Sequence, residues 1–367
     1  MNAAKLNKLR SLMNASGFDA AALIPSPNFF WLTGMEKHLM ERPTVLLVTE
    51  DQKPALITAG FEMGSFEKQG LDFQEFPFSD NPAQWHNAFE AAVQALQLTG
   101  KTIAVEPIHF RFLEMEYLRN AGQEIQLVSG ETLFKQLRLR KTPEEIASMK
   151  EAARIAETAL EETLKIVRAG ISERQIAAEL TIQLLRAGSD ASLPFPPIVA
   201  SGPNAADPHA AVSDRLLQEG DFLLIDWGAR WHGYCSDLTR TFAIGEISGQ
   251  QTEVYQTVLR ANRAAVAAAR PGMRCGEVDL TARAVIENAG FGSFFTHRLG
   301  HGLGLETHED PYIYAENQQL LEEGMVFTDE PGIYLPGAFG VRIEDDLVIT
   351  AEGCQQLTSF SRELRTL

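Results

Sequence analysis

The sequence is poor in cysteine, in positive charge and in long apolar runs, and each shortage excludes a class of protein. Three cysteines in 367 residues, Cys235, Cys275 and Cys354, form no C-x-x-C pair, which excludes a disulfide framework and favours a reducing compartment. The sequence has 32 Lys and Arg but 49 Asp and Glu, and the resulting net charge of -17 argues against nucleic acids and anionic membranes as partners. No signal-peptide core or run of about 18 apolar residues occurs, so we expect a globular, cytoplasmic protein.

The chain is long enough for two domains, and its character changes near residue 133. Before that point, short apolar runs such as TVLLVT and KTIAVEP alternate with helix-like segments, which is typical of a small α/β domain. After it, a Thr-Pro-Glu-Glu start at Thr142 opens a long pattern of apolar residues at helical spacing. The sequence therefore predicts one domain over residues 1–132 and a second over residues 133–367.

The second domain contains an internal repeat. The segment RAGISERQIAAELTIQLLRAG, from Arg168, aligns with RPGMRCGEVDLTARAVIENAG, from Arg270, at an offset of 102 residues. An apolar strand bounded by glycine follows each copy and carries an acid at the same place, Asp226 in GDFLLIDWG and Glu330 in GMVFTDEPG. Amphipathic helices can resemble one another by chance, but the matching acids favour a pseudo-symmetric fold in which two hairpins face each other.

Each predicted hairpin holds a second acid where its strand returns, Asp237 in the first and Glu344 in the second. A buried ionised carboxylate must be paired or must bind a cation, because its isolated burial is very costly. Ion pairs with Arg240 and Arg342 are one explanation, but four acids together with a histidine cluster favour divalent metal ions. Two ions about 3.5–4 Å apart can generate hydroxide and polarise a carbonyl group, which is the chemistry of amide hydrolysis.

The segment HRLGHGLGLETHED, residues 297–310, contains His297, His301 and His308. His297 and His301 would share one face of a helix, as in H-E-x-x-H zinc sites. The interspersed glycines disfavour a helix and favour an extended segment that comes close to a metal or a substrate. These residues alone do not decide which histidine binds metal.

Four motifs, in this order, resemble the pita-bread metallopeptidases, and most closely their prolidase and aminopeptidase P branch. They are GPNAADPHAAVSDRLLQEGDFLLIDWGARWHGYCSDLTRTFAIG, HRLGHGLGLETHE, FTDEPGIY and GVRIEDD. The stretch SPNFFWLTG, residues 26–34, resembles the creatinase-type N-terminal domain of the same branch. The resemblance implies an α+β protein in which a small α/β creatinase-type domain precedes a pseudo-symmetric pita-bread catalytic domain.

Carried over residue by residue, the resemblance implies two divalent metal ions, most simply Mn, with Co, Zn or Fe as alternatives. The implied ligands are Asp226, Asp237, His301, Glu330 and Glu344. Asp237 and Glu344 would bridge both ions, and Glu330 would also shuttle a proton. His209, His297 and His308 would border the substrate, while Arg342 would orient a ligand carboxylate or contact the substrate's carboxylate.

The activity that the resemblance implies is hydrolysis of the Xaa-Pro peptide bond by a hydroxide that bridges the metals. The compact N-terminal domain favours a dipeptidase over an aminopeptidase P that acts on longer peptides. A creatinase-like hydrolase or a binding protein is the remaining alternative, but such relatives lose metal ligands and all five are present here. Phe195 is a candidate wall for the proline ring, with Tyr312 or Tyr334 as a further contributor.

The resemblance also implies a homodimer. The polar stretch HLMERP, residues 38–43, stands out in an otherwise apolar domain, and an exposed loop is its simplest interpretation. Our hypothesis is that His38 or Arg42 reaches the active site of the partner subunit across the dimer interface.

Overall fold

A computed structural model describes residues 2–367. The chain divides into two compact units between Arg138 and Leu139. Among the described residues, no helix is both long enough and apolar enough to cross a membrane.

The first unit is built around a six-stranded sheet, in the order β4-β3-β2-β1-β5-β6. Its strands are β1 Ala20–Leu23, β2 Val45–Thr49, β3 Ala55–Ala59, β4 Gln74–Phe78, β5 Thr102–Val105 and β6 Gln126–Ser129. Its helices are α1 Ala3–Ala15, α2 Pro27–Thr33, α3 Met63–Lys68, α4 Trp85–Ala95, α5 Phe112–Asn120 and α6 Glu131–Arg138. The three central strands are buried throughout, as expected of continuous apolar runs covered on both faces.

Helix α6 belongs to the first unit, so the observed division lies later than the predicted one between residues 132 and 133. Its buried residues, Leu133, Phe134 and Leu137, form one stripe at helical spacing. The helix packs against α1 and α2. The change in sequence character near residue 133 therefore marks this stripe and not the end of the unit.

The second unit contains four long helices, two larger sheets and two short two-stranded sheets. The helices are α7 Pro143–Leu164, α8 Glu173–Ala187, α9 Gly249–Ala268 and α10 Cys275–Asn288. The hydroxyl of Thr142 accepts a hydrogen bond from the amide of Glu145, and the Glu145 carboxylate accepts one from the amide of Thr142. This capping box starts α7 where the sequence predicted a helix start.

The two larger sheets of the second unit run in the orders β11-β8-β7 and β13-β12-β14-β17-β18. The first half contributes β7 Ile198–Ser201, β8 Phe222–Trp227, β9 Arg230–Trp231, β10 Tyr234–Cys235 and β11 Leu238–Ala243. The second half contributes β12 Gly300–Gly302, β13 Glu309–Ile313, β14 Val326–Asp329, β15 Gly332–Leu335, β16 Phe339–Arg342, β17 Asp345–Thr350 and β18 Gly353–Gln356. The antiparallel pairs β8/β11 and β14/β17 each enclose a shorter two-stranded hairpin, β9/β10 or β15/β16. The internal repeat seen in the sequence is therefore present in the fold.

The four acids lie at equivalent places in the two hairpins. Asp226 is near the end of β8 and Asp237 directly precedes β11, while Glu330 directly follows β14 and Glu344 directly precedes β17. Strand β16 ends at Arg342, so Glu344 is not part of the same strand. The Glu344 amide instead donates to the carbonyl of Thr239 in an isolated bridge, which joins the two hairpins.

Candidate metal centre and substrate cleft

A cavity of about 780 Å³ in the second unit brings together every predicted site residue. Its lining includes His209, Asp226, Asp237, His297, His301, His308, Glu330, Arg342 and Glu344. Pro194, Phe195, Pro196, Ile198, Pro208, Arg298 and Thr307 complete the lining. The volume is typical of a site that encloses a small ligand.

Three buried residues form the centre of this cavity. Asp237, His301 and Glu344 each offer a ligand atom, and these atoms lie within 4.8 Å of one another. His301 Nε2 is 3.3 Å from Glu330 Oε1 and 3.8 Å from Asp237 Oδ2. The two hairpins therefore bring their acids to a single imidazole, as the repeat predicted.

The backbone around His301 fixes the orientation and the tautomer of its ring. His301 Nδ1 lies 3.2 Å from the carbonyl oxygen of Gly302, and because a carbonyl only accepts, Nδ1 carries the proton. Nε2 is left as a lone pair that points towards the acids. The extended segment predicted here is strand β12, and a Cβ on Gly300 would lie 1.9 Å from the carbonyl oxygen of Thr328, so this approach requires glycine.

The acids repel one another in the absence of a cation. Burial, followed by the neighbouring carboxylates, raises the pKa of Asp237 and Glu344 well above their usual values. Burial also raises the pKa of Glu330 to about 7. The Oδ1 atoms of Asp226 and Asp237 are buried without a hydrogen-bond partner. Clustered carboxylates, unpaired oxygens and an imidazole lone pair are a donor set that fits divalent metal ions.

Arg342 contacts the carboxylate of Asp226, one of the predicted metal ligands. Its Nη2 donates to Asp226 Oδ2, its Nε donates to Thr239 Oγ1 at 2.9 Å, and its Nη1 donates to Tyr334 Oη at 2.9 Å. The Thr239 hydroxyl in turn donates to Glu344 Oε2. The guanidinium is buried, and each of its nitrogens donates to an atom of the protein.

Tyr334 connects Arg342 to His297, a link that was not predicted from the sequence. Because Arg342 donates to the Tyr334 oxygen, the phenolic proton points to His297 Nε2, 2.9 Å away. His297 Nδ1 donates to the carbonyl of Arg298 at 2.7 Å. Both ring nitrogens are therefore occupied, and burial lowers the pKa of His297 to about 4, so the ring is neutral. The hydroxyl explains why Tyr334 acts as a polar link and not as an apolar wall.

His308 and His209 differ from His297 in having ring nitrogens open to the cavity. Within residues 2–367, neither imidazole makes a hydrogen bond inside the protein. The His308 ring meets that of His301 edge-on, with centroids 4.0 Å apart. Burial and the charge of Arg298 lower the pKa of His308, which favours its neutral form. Both imidazoles can contact a bound molecule.

Three further buried acids, Asp329, Asp345 and Asp346, lie next to the predicted ligands, and sequence reasoning missed them. Asp346 Oδ2 accepts from the amide of Asp237 at 3.1 Å and so helps to place that ligand. Arg240 pairs with Asp345 at 2.7 Å, and not with a predicted ligand. The acid pairs in TDEPG and IEDDL were the signal that could have revealed this outer layer.

The walls of the cavity differ in chemistry. Pro194, Phe195, Pro196 and Ile198 form an apolar side, which agrees with the wall predicted at Phe195. In the first unit, His38 is exposed and Arg42 contacts Glu41 and Asp80 while lying over the ring of Phe61.

Two family models match the chain. Residues 147–351 match metallopeptidase family M24, and residues 5–140 match the Creatinase/Prolidase N-terminal domain.

Individual proteins are similar over nearly the full length. The Bacillus subtilis protein YkvY, provisionally named a dipeptidase, is 38% identical over 360 residues, which are 98% of this chain and 99% of the relative. A dipeptidase from Pyrococcus horikoshii OT3 has a TM-score of 0.93 at 37% identity and covers 99% of this chain and 100% of its own. An Xaa-Pro dipeptidase from Bacillus anthracis has a TM-score of 0.91 at 34% identity and covers 99% of both chains.

Proposed function

The chain belongs to metallopeptidase family M24, and from that premise we propose that it is an Xaa-Pro dipeptidase that uses two divalent metal ions. Family membership confirms that the chain is a peptidase with a creatinase-type N-terminal domain and a pita-bread catalytic domain, as the sequence predicted. Proline specificity, the number of metal ions and the roles of individual residues belong to our proposal.

One observation carries the proposal: all predicted metal ligands and substrate-side residues line the same cavity. The residues that would hold the ions are Asp226, Asp237, His301, Glu330 and Glu344. Bound divalent ions would supply an activated water molecule and polarise the scissile carbonyl group. Oxygen-rich donors with one imidazole suit Mn, and Co, Zn or Fe are the alternatives.

The residues of the chain would move the proton and steady the developing charge. Glu330, whose carboxylate lies 3.3 Å from His301 Nε2, would take a proton from the attacking water and deliver it to the departing proline nitrogen. This transfer accompanies formation of the new carbon–oxygen bond and cleavage of the carbon–nitrogen bond. His308, whose ring nitrogens are open to the cavity, would donate to the carbonyl oxygen. His209 would contact the peptide from the other side, and His297 would act through Tyr334 and Arg342.

The apolar side of the cavity supports specificity for proline. A pyrrolidine ring has no N–H when it forms part of a peptide bond, and its methylene groups need an apolar surface. Phe195 and Ile198 offer such a surface, opposite the polar residues.

Peptide length separates the two proline peptidase activities. We expect the Mn-loaded protein to hydrolyse Ala-Pro and Gly-Pro faster than Ala-Pro-Ala. Release of alanine from Ala-Pro-Ala at a higher kcat/KM than from Ala-Pro would instead identify an aminopeptidase P. Chelated protein should be inactive on all three peptides.

A homodimer in a reducing compartment, the cytoplasm, completes the proposal. All three cysteines are free. Exposed apolar side chains are concentrated around the segment that contains His38: Leu39, Met40, Phe61, Ile108 and Phe112. Such a surface is suited to burial in an interface with a second copy of the chain. Sedimentation should show a dimer, and a His38→Ala, Arg42→Ala double variant should lose specific activity; an unchanged activity would remove these two residues from the proposal.

A further inference from the structure

The cavity contains two guanidinium groups in different situations. Arg342 donates to Asp226, Thr239 and Tyr334, and all of its nitrogens are occupied. Arg298 also lines the cavity but makes no side-chain hydrogen bond or ion pair with any residue in the part of the chain that the structure describes. Only Arg298 can therefore offer its full set of N–H groups to a bound molecule.

The Arg298 side chain lies over an aromatic ring. Its guanidinium carbon lies 4.3 Å from the centroid of Tyr312, within the range of a cation–π contact. Tyr312 pairs with His301 between β13 and β12, so the ring is fixed to the strand that carries the candidate metal ligand. This contact positions the guanidinium without using its N–H groups as hydrogen-bond donors to the protein.

The backbone on both sides of Arg298 is anchored by helix α10. Asp279 Oδ1 accepts from the amide of Leu299 at 2.9 Å, and Arg283 Nη2 donates to the carbonyl of His297 at 3.0 Å. Asp279 and Arg283 also pair with each other through two further hydrogen bonds. Arg298 therefore stands on a rigid segment, which reduces the entropy lost when a ligand binds.

A permanent positive charge at this place calls for an anionic partner. The charge of Arg298 contributes to lowering the pKa of His308 and His301, so it is felt across the cavity. A guanidinium stays protonated in proteins, and its planar fork matches the two oxygens of a carboxylate. The metal-side acids do not satisfy it, since none of them contacts it.

We propose that Arg298 binds a carboxylate of the substrate and so determines which peptides are preferred. This inference rests on the proposed peptidase function. The carboxylate can come from the C-terminus of a dipeptide or from an acidic side chain before proline. Both sources present the same two oxygens to the same guanidinium.

Four peptides separate these sources. Ala-Pro and Ala-Pro-amide differ only in the terminal carboxylate, and Asp-Pro-amide and Asn-Pro-amide differ only in the side-chain carboxylate. The measurement is kcat/KM for all four with Mn-loaded wild type, Arg298→Gln, Arg298→Lys and the control Arg270→Gln, which replaces an exposed arginine outside the cavity. Equal metal content and circular dichroism spectra verify that each variant is folded.

For each pair, we compare kcat/KM of the carboxylate peptide with kcat/KM of its amide counterpart. We expect this ratio to be large for one pair in the wild type and to fall by roughly 10- to 100-fold in Arg298→Gln, mainly through a higher KM for the carboxylate peptide. Arg298→Lys should keep part of the ratio, and Arg270→Gln should keep all of it. The proposal is overturned if the wild type prefers neither carboxylate peptide over its amide, or if both ratios are unchanged in Arg298→Gln. It is also overturned if Arg298→Gln lowers kcat/KM equally for all four peptides.

Failure of the peptidase proposal would look different. If the wild type hydrolyses none of the four peptides, the proposed function fails, and the peptides become stable ligands for calorimetry. Carboxylate binding by Arg298 is then supported if a carboxylate peptide binds more tightly than its amide in the wild type but not in Arg298→Gln. Equal binding would overturn it.

Discussion

The two halves of the catalytic unit are alike where they carry acids and unlike where they form the walls of the cavity. Ile198 pairs with Asp226, and Leu299 bonds to the equivalent Glu330, so Pro196 corresponds to His297, Pro197 to Arg298 and Ala200 to His301. At these positions the first half has apolar residues and the second half polar ones. Repetition built the carboxylate cluster, whereas divergence of one strand provided His301, the proposed imidazole ligand, and Arg298, the proposed carboxylate-binding residue.

The most severe test of this comparison replaces the imidazole and its counterpart. His301→Ala should reduce bound metal and bring hydrolysis to background, because Nε2 is the only nitrogen lone pair that faces the four acids in the described residues. Ala200→Gly, at the equivalent position, should retain metal and activity while losing about 0.5–1 kcal/mol of stability, because glycine loses more conformational freedom in a strand. Metal analysis and Ala-Pro hydrolysis measure both effects. Full metal content in His301→Ala would contradict the assignment.

The second test removes a polar group from the divergent wall without touching the acids. His308→Ala should keep the metal and lower kcat by about 10²–10³-fold, since an open donor beside the reacting carbonyl would be lost. The exposed His86→Ala serves as a control outside the cavity. A His308→Ala protein that turns over like wild type would show that the ring only packs against His301.

The acids were predictable from the sequence because charge inside an apolar strand is conspicuous. Asp226 and Glu330 also stood at matching places in a repeat, so their meeting followed from symmetry. The link from Arg342 through Tyr334 to His297 was not predictable, because these hydrogen-bond partners lie 8 and 37 residues apart and meet only through the packing of β15 and β16. Arg298 was missed because a single arginine has no spacing signal, and only the cavity shows that it lacks a partner.

The third test concerns the neutral histidine of the polar wall. The pKa of His297 is lowered from 6.5 to about 4. Between pH 6.5 and pH 4, this histidine is therefore protonated in the unfolded chain but neutral in the folded protein. The folded state is therefore fully favoured above pH 6.5 and loses up to about 3 kcal/mol as the pH falls to 4. In chelated protein, His297→Gln should flatten this part of the stability profile, measured by urea unfolding. The exposed His209→Gln is the control, and identical slopes in wild type and His297→Gln would contradict the expectation.

The smallest expected effect comes from removing one oxygen atom. Tyr334→Phe breaks the link between Arg342 and His297 but leaves Arg342 bound to Asp226, so the metal should remain and kcat should fall by about tenfold. Tyr314→Phe, which alters an exposed tyrosine, is the matched control. Equal kcat values for Tyr334→Phe and wild type would mean that the link does not support catalysis.

The central claim is that both halves hold one metal centre that hydrolyses Xaa-Pro bonds. The most direct measurement titrates Mn into chelated wild-type protein while bound metal and Ala-Pro hydrolysis are followed in the same samples. The rate of hydrolysis should start from zero and level off as the amount of bound Mn approaches about two ions per chain. Hydrolysis without metal, or full metal occupancy without hydrolysis, would contradict the account.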